Sequence, residues 1–174
     1  SEEMEHLGGI DFDEAFSSSV VGFVSANGIM VDTDDPATAA ALVRLREEGR
    51  RAKEALSSEP ETTVQVDLPG FQTELPLTRE DFEGLIRPHI AETIGALARA
   101  TESAGLTFHG LDRVLLIGGS SRIPLVAEMV GEATDLPITV DPDSKDSIAL
   151  GAAFVAEQRR ASGGKDNPEA ICLP

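Results

Sequence analysis

The segment VLLIGGSSRIP, residues Val114–Pro124, decides the fold predicted for this chain of 174 residues. Its first four residues are apolar without alternation, which is typical of a β-strand buried on both faces. Pro124 stands where a helix would have its first residue. Between them lies the loop GGSSR (118–122), in which glycine allows a ligand close to the backbone and the following helix offers free N–H groups. The segment therefore predicts strand, loop and helix start, as in an α/β fold.

The loop alone does not identify a ligand. It lacks the lysine of a P-loop and the third glycine of a dinucleotide-binding fingerprint. A tight turn between a strand and a helix would also need glycine for its backbone geometry. Ligand contact and a purely structural turn are therefore about equally favoured by these residues.

The pattern continues after the loop. An apolar helix pattern is followed by a second short strand, Pro137–Val140, and Asp146 is placed to cap a final helix. Small and apolar residues of that helix predict tight packing: Ile148, Ala149, Ala152, Ala153 and Val155. The order β, α, β, α predicts a parallel sheet.

An earlier region predicts a helix, a hairpin and a second helix over about residues 36–103. Asp35-Pro36 is a helix start, and the helix is expected over about 37–57. Pro69-Gly70 is a turn signal between two alternating strands. The residues Thr78–Asp81 resemble a capping box. Pro88 removes a backbone N–H, so a kink or a restart of the second helix is expected.

The chain opens with an apolar helix pattern over Phe16–Val24. Asp11 is a plausible N-cap for this helix, and Asp13 is also better explained by capping than by metal binding. Since the α/β pattern resumes at residue 111, the unit at 36–103 is interpreted as an insertion into an α/β domain.

Four polar residues fall on one face of the first inserted helix: Arg50, Lys53, Glu54 and Ser57. Residues three and four apart on a helix are neighbours, so these side chains lie together. A charged face turned towards solvent is the more common explanation of such a pattern, and a binding surface is the alternative.

Composition excludes several classes of function. A formal charge of −17 argues against nonspecific binding to nucleic acid or anionic membranes. No apolar run reaches the roughly 18 to 20 residues of a membrane span. The single cysteine, Cys172, excludes an intrachain disulfide framework and fits a reducing compartment. The three histidines are not clustered, so a zinc site is not expected.

Five segments occur in an order that resembles a known family: HLGGIDFD (6–13), RRAKEALSS (50–58), LTREDFEGLI (77–86), VLLIGGSSRIP (114–124) and DSIALGAA (146–153). Together they resemble lobe II of the nucleotide-binding domain of the seventy-kilodalton heat-shock chaperones (DnaK type), over roughly residues 4–160. The resemblance implies an actin-like ATPase (ribonuclease H-like) α/β lobe with an inserted α+β subdomain. Residues 1–30 and 104–162 would form the inner subdomain, 31–103 the outer one and 163–174 a flexible tail.

The resemblance also implies a set of nucleotide-binding residues: Gly9, Arg50, Lys53, Glu54, Ser57, Gly118, Gly119, Ser120, Arg122, Asp143 and Lys145. Residues 118–120 and Arg122 match a loop that contacts the adenosine side of ATP. Lys53 and Ser57 match helix residues that close over the base and ribose. Gly9 matches a glycine at the floor of the lobe.

This chain departs from the family at three places. Arg50 stands where the family usually has a glutamate facing the ribose hydroxyls. Glu54 stands where many members have a basic or apolar residue. The segment 141–146 aligns in two ways, so either Asp143 or Lys145 takes the position near adenosine.

The resemblance implies a cofactor and partners. ATP or ADP would bind, with magnesium in the intact protein, and the phosphate-binding hairpins and catalytic lysine are expected outside this chain, so no catalytic residue is assigned. A nucleotide-exchange factor or co-chaperone would bind the outer subdomain, client proteins would bind elsewhere, and a cytoplasmic location is expected. Because hairpin strands would be missing from the inner sheet, an exposed apolar edge and self-association are expected.

Two other functions stay open. The parent could be another actin-like protein such as a sugar kinase, since the Gly-Gly-Ser loop is broadly shared. It could also be a non-hydrolysing scaffold, which Arg50 and the unsettled alignment of 141–146 motivate.

Overall fold

The computed structural model describes residues 8–141 and 146–161, which form a mixed α/β structure. In chain order the elements are α1 (Gly9–Ala26), α2 (Pro36–Leu56), β1 (Glu61–Leu68), β2 (Phe71–Thr78), α3 (Arg79–Ser103), β3 (Val114–Leu116), α4 (Pro124–Thr134), β4 (Ile138–Val140) and α5 (Ser147–Ala161). Short 3₁₀ turns at Phe108–Gly110 and Gly119–Arg122 precede and follow β3. The predicted tail and positions 142–145 lie outside the described residues.

The N-cap of helix α1 lies three residues earlier than predicted. Gly8 is the N-cap, and Asp11 is the third helical residue. The Asp11 carboxylate nevertheless satisfies the helix start, because its Oδ2 accepts a 2.6 Å hydrogen bond from the Gly8 N–H. The prediction of Asp11 as N-cap is therefore wrong in position, and its contribution to capping is confirmed.

Helix α2 begins as predicted. The Asp35 carboxylate accepts a 2.9 Å hydrogen bond from the Thr38 N–H, and Pro36 is the first helical residue. Gly49 lies on the buried face of α2, where a Cβ would come within 2.6 Å of Phe16 Cδ1. The absence of a side chain at Gly49 thus allows α1 and α2 to pack closely.

The hairpin and the third helix also follow local signals. Strands β1 and β2 pair antiparallel around Pro69-Gly70, and Gly70 has a φ of +78° that favours glycine. The predicted capping box is confirmed, since the Asp81 N–H donates to Thr78 Oγ1 at 3.1 Å and the Thr78 N–H to Asp81 Oδ2 at 3.3 Å. No restart occurs at Pro88, because α3 continues from Arg79 to Ser103.

One apolar core joins α1, α2, the hairpin and α3. Its fully buried side chains include Phe82, Ile86, Val24, Val64 and Val66. The core also contains Ile123, the N-cap of α4, and Leu125 in its first turn. The remaining members of the core are Phe12, Phe16, Val20, Ala41, Leu45, Ala52, Leu56, Leu68, Leu77 and Ile90. The segment that follows the glycine loop is thereby attached to the first half of the chain.

Strands β3 and β4 pair in parallel, as predicted, with Val114 opposite Ile138. The prediction that the strand at Val114–Ile117 is buried on both faces is wrong, because Leu115 is 58% exposed and Ile117 is 50% exposed. Helix α4 packs against β4, whereas the side chains of Leu115 and Ile117 reach solvent. The expected apolar exposure of this sheet is therefore observed.

The tight packing predicted for the last helix is also wrong for its described side chains. Leu150 and Phe154 of α5 are exposed, as are Ala149, Ala152 and Ala153, while Val155 is half-buried. The side chain of Ile148 lies outside the described residues. Small residues permit close packing, but a neighbouring element must be present to pack against.

Among the described residues, none of the helices has both the length and the apolar character that crossing a membrane requires.

Candidate functional site

A cleft of about 420 Å³ opens between the start of α1, the second half of α2 and the 3₁₀ turn after β3. Its lining consists of Gly9, Ile10, Asp13, Arg50, Lys53, Glu54, Ser57, Gly119, Ser120, Arg122 and Ile123. Eight of the predicted nucleotide-binding residues are among these. Gly118 adjoins the cleft as the N-cap of the turn, and Asp143 and Lys145 lie outside the described residues.

The α2 wall of the cleft is formed by one helical face, as the spacing of its residues predicts. Ser57 is the C-cap of α2, and its hydroxyl donates a 3.0 Å hydrogen bond to the Lys53 carbonyl oxygen. Glu54 and Arg50 lie one turn apart at 3.2 Å, between Glu54 Oε1 and an Arg50 terminal nitrogen. The helix therefore brings the predicted side chains together on the cleft side of α2.

Arg50 is oriented by two carboxylates. Its Nε and one terminal nitrogen donate to the two oxygens of Glu47 at 3.1 and 2.6 Å, a bidentate pair, and its other terminal nitrogen donates to Glu54. The hydrogen bond from Arg50 lowers the pKa of Glu47, and the same interaction raises the pKa of the Arg50 guanidinium. This face is thus both a row of solvent-exposed ion pairs and a wall of the cleft.

Lys53 points away from solvent. Its ammonium nitrogen lies 2.7 Å from Asp13 Oδ1 and donates a 2.7 Å hydrogen bond to the Gly9 carbonyl oxygen. Both charged side chains are largely buried, with 13% and 12% of their surfaces exposed. Burial raises the pKa of Asp13, and the hydrogen bond and charge of Lys53 oppose that rise.

Ile10, Asp13 and Ile123 line the cleft but were not predicted to do so, and Asp13 is the charged one among them. Its assignment to capping is wrong, because it lies beyond the first turn of α1 and its carboxylate pairs with α2. A signal was present in the sequence: Asp13 and Ser17 are polar residues next to the apolar stripe that contains Phe12 and Phe16. A carboxylate in such a position needs a cationic partner, but the sequence pattern does not say which one.

The glycine loop forms a 3₁₀ turn before the α-helix begins. Gly118 has a φ of +92°, which favours glycine, and its carbonyl oxygen accepts a 2.6 Å hydrogen bond from the Ser121 hydroxyl. The helix that follows this turn, α4, begins at Pro124, with Ile123 as its N-cap. Pro124 as first helical residue is confirmed.

The two glycines of the loop have different reasons to be glycine. Gly118 requires a left-handed backbone, which supports the structural explanation of the loop. Gly119 does not, and a Cβ there would meet no heavy atom within 4 Å. Internal packing of the described residues does not require glycine at 119, whereas close approach of a ligand would benefit from it.

In the described part of the chain, no group of three or more His, Cys, Asp or Glu residues is arranged to hold a metal ion.

Comparison with known proteins gives the family. The model of the family described as "Hsp70 protein" matches residues 2–167. This chain belongs to the Hsp70 family. The Hsp70 family consists of ATP-binding heat-shock chaperones, and its members are ATPases. The alternative that the parent is a sugar kinase is therefore overturned.

Individual Hsp70 relatives agree with the family match. The chain is 36% identical over 167 residues to "Chaperone protein dnaK1" of Synechococcus elongatus and to "Chaperone protein DnaK 3" of a Synechococcus species, covering 87% of this chain and 24% of each relative. It is 36% identical over 154 residues to "Ribosome-associated molecular chaperone SSB" of Candida glabrata, covering 85% of this chain and 24% of that relative. The chain thus spans about a quarter of the length of these Hsp70 relatives.

Proposed function

We propose that this chain is the adenine-nucleotide-binding lobe II of an Hsp70 ATPase domain and that the cleft between α1, α2 and the 3₁₀ turn holds the adenosine of ATP or ADP. The observation that carries the proposal is the convergence of three distant segments on one cleft. Residues 50–57 and 119–122 face each other there, with Gly9 at the back. The family resemblance assigns nucleotide contacts to these same segments.

The chemistry of the lining suits a nucleoside. A guanidinium such as that of Arg122 can stack on a flat aromatic ring, and the Ser120 and Ser57 hydroxyls provide donors and acceptors for a base or ribose. Asp143 or Lys145 would add a contact from outside the described residues. The cleft is open rather than enclosed, and small ligands bind tightly only when most of their surface is buried. Weak binding by this chain alone follows.

The assignment of roles within a longer protein belongs to the same proposal. Residues 1–30 and 104–162 are proposed as the inner subdomain and 31–103 as the outer subdomain, which would bind an exchange factor or co-chaperone. Phosphate and magnesium contacts, the catalytic lysine and client binding are assigned to other parts of the protein. Nucleotide state would then be coupled to client binding in the cytoplasm, and this chain alone would not hydrolyse ATP.

Titration of the chain with ADP, followed by amide NMR, tests the proposal. We expect the amide signals of Gly119 and Ser120 to shift with a dissociation constant of about 0.1–1 mM, since an open half-site supplies only a few kcal/mol. Arg122→Gln should weaken binding about tenfold if the guanidinium stacks on the base. The matched control Arg113→Gln alters an exposed arginine outside the cleft and should leave the affinity unchanged.

Two outcomes would count against nucleotide binding at this cleft. One is the absence of any shift at ADP concentrations several times the expected dissociation constant. The other is equal weakening by the Arg122 and Arg113 variants, which would indicate nonspecific attraction between cations and phosphate. A submicromolar dissociation constant would instead contradict the assignment of the phosphate contacts to other parts of the protein.

The non-hydrolysing scaffold is the second candidate, and one observation favours it. Arg50 replaces the usual glutamate, and its guanidinium is bound by Glu47 and Glu54. A carboxylate that could accept hydrogen bonds from ribose hydroxyls is therefore absent at position 50. Titration of the longer protein with ATP and magnesium separates the candidates, because a scaffold would give neither binding heat nor phosphate release.

A further inference from the structure

The cleft contains a carboxylate that a ligand can reach. Among the described residues that line the cleft, the acidic side chains are those of Asp13 and Glu54. The side chain of Asp13 is 12% exposed and lies 2.7 Å from Lys53 Nζ, whereas the side chain of Glu54 is 50% exposed. A ligand that brings hydrogen-bond donors into the cleft therefore meets the carboxylate of Glu54.

The stability of α2 does not explain a glutamate at this position. Glu54 lies in the last turn of α2, which ends at Leu56, and a carboxylate is disfavoured at the negative end of the helix dipole. Its partner Arg50 lies one turn earlier, and a helix gains less from a cation placed before a carboxylate than from the reverse order. A residue that departs from such local preferences is expected where a site needs it.

Arg50 fixes the place of the Glu54 carboxylate in the cleft. Its Nε and one terminal nitrogen donate to both oxygens of Glu47, which fixes the plane of the guanidinium. Its other terminal nitrogen donates to Glu54 Oε1 at 3.2 Å. The carboxylate that is absent at position 50 is thus replaced by one that position 54 brings to the tip of the Arg50 side chain.

We infer that Glu54 accepts hydrogen bonds from the ribose hydroxyls of the nucleotide and makes the cleft select ribonucleotides over 2′-deoxyribonucleotides. The two oxygens of a carboxylate offer about four acceptor sites, so Glu54 can accept from adjacent hydroxyls while Oε1 also accepts from Arg50. The inference rests on the proposed function and deepens it, because it names the residue that recognises the sugar.

The test compares two ligands that differ by one hydroxyl. The chain is titrated with ADP and with 2′-deoxy-ADP, and binding is followed by amide NMR. The wild-type chain should bind ADP about tenfold more tightly, since a hydrogen bond to a charged acceptor contributes at least that factor. In Glu54→Ala the acceptor is removed, so the ratio of the two dissociation constants should fall to about one.

A neighbouring glutamate provides the matched control. The carboxylate of Glu48 is 2.7 Å from an Arg51 terminal nitrogen on α2, and neither residue lines the cleft. Glu48→Ala should therefore keep the wild-type ratio. Glu54→Gln retains the size of the side chain and one uncharged acceptor, so its ratio should lie between those of the wild type and Glu54→Ala. It also keeps the test valid if circular dichroism shows that Glu54→Ala has lost its fold.

A third ligand separates the sugar from the base. The amino group of adenine is another donor that a carboxylate could bind, and inosine diphosphate lacks it. We expect Glu54→Ala to leave the ratio between ADP and inosine diphosphate unchanged. If the substitution removes that ratio and preserves the preference for ADP over 2′-deoxy-ADP, Glu54 recognises the base and the inference is overturned.

The remaining outcomes distinguish the inference from the proposed function. If the wild-type chain binds neither ADP nor 2′-deoxy-ADP, both are wrong. If it binds the two with equal affinity, the proposed function stands and the role of Glu54 is wrong. A preference for ADP that survives in Glu54→Ala also overturns the inference, because another group then recognises the ribose.

Discussion

Two regions of the molecule differ in how far they bury their apolar side chains. The first region consists of α1, α2, the hairpin and α3, and the second consists of β3, β4 and α5. In the first region Val24, Phe82 and Ile86 are completely or almost completely buried. In the second, Leu115, Leu150 and Phe154 are each more than half exposed. Two parallel strands of three residues each offer too little area to form a core of their own.

The difference explains where the cleft can be rigid. The 3₁₀ turn at 119–122 lies between the two regions and is followed at once by Ile123 and Leu125, which belong to the buried core. The turn is therefore anchored on its C-terminal side, whereas β3 on its other side is half-buried at Val114 and Leu116 and exposed at Leu115. Most of the stability of the described chain lies on the α2 side of the cleft, and the glycine loop depends on its attachment to it.

The largest expected effect is on the free energy of unfolding when the core of the first region is truncated. Phe82→Ala should destabilise the chain by about 3–5 kcal/mol, because it removes a buried aromatic ring and leaves a cavity. The matched variant Phe154→Ala removes an exposed ring of α5 and should change stability by less than about 0.5 kcal/mol. Urea unfolding followed by circular dichroism measures both, and a comparable loss for Phe154→Ala would show that the two regions are equally packed.

A smaller effect distinguishes the buried carboxylate of the cleft, Asp13, from the exposed carboxylate of Glu47 on α2 by the pH dependence of their contributions to stability. Burial raises the pKa of Asp13 above its ordinary 3.8, so the folded state binds that proton more tightly than the unfolded state. The resulting stability is fully present below pH 3.8 and is lost as pH rises through the folded pKa. The difference in unfolding free energy between wild type and Asp13→Asn should therefore fall as pH rises.

Glu47 should behave in the opposite way. Its pKa is lowered from 4.5 by Arg50, so its stabilising contribution is present above pH 4.5 and is lost as pH falls through the folded pKa. The advantage of wild type over Glu47→Gln should shrink on acidification and should be slight throughout, because the pair is exposed. Unfolding curves at a series of pH values check both variants, and slopes of the same sign would contradict the assignment.

Sequence signals gave the first region almost completely, because each is local. Each signal determines the backbone only within about four residues of its own position. The structure has helix or strand ends at all three signals: Asp35-Pro36, Pro69-Gly70 and the Thr78–Asp81 capping box. The helix does not restart at Pro88, because Ile86 and Ile90 are both buried and hold the two halves of α3 against the same core.

The errors concern contacts between distant segments. The spacing of Arg50, Lys53, Glu54 and Ser57 correctly gathered one helical face, but it could not show that Lys53 turns inwards to Asp13, which is 40 residues away. The same limit applies to β3. An uninterrupted apolar run indicates that a strand can be buried on both faces. It does not indicate whether a helix or another sheet packs on each face.

The smallest expected effect on stability comes from the exposed apolar surface of the second region, and there the readout is association. Contiguous exposed apolar surface favours contact between copies, so the wild-type chain should show a rising average mass in light scattering as its concentration increases. Leu115→Gln should reduce that rise while changing the unfolding free energy by no more than about 0.5 kcal/mol. Val43→Gln, an equally exposed apolar position on α2, should leave the association unchanged. A wild-type mass that stays monomeric at every concentration, or equal effects of the two variants, would show that exposure at β3 does not direct self-association.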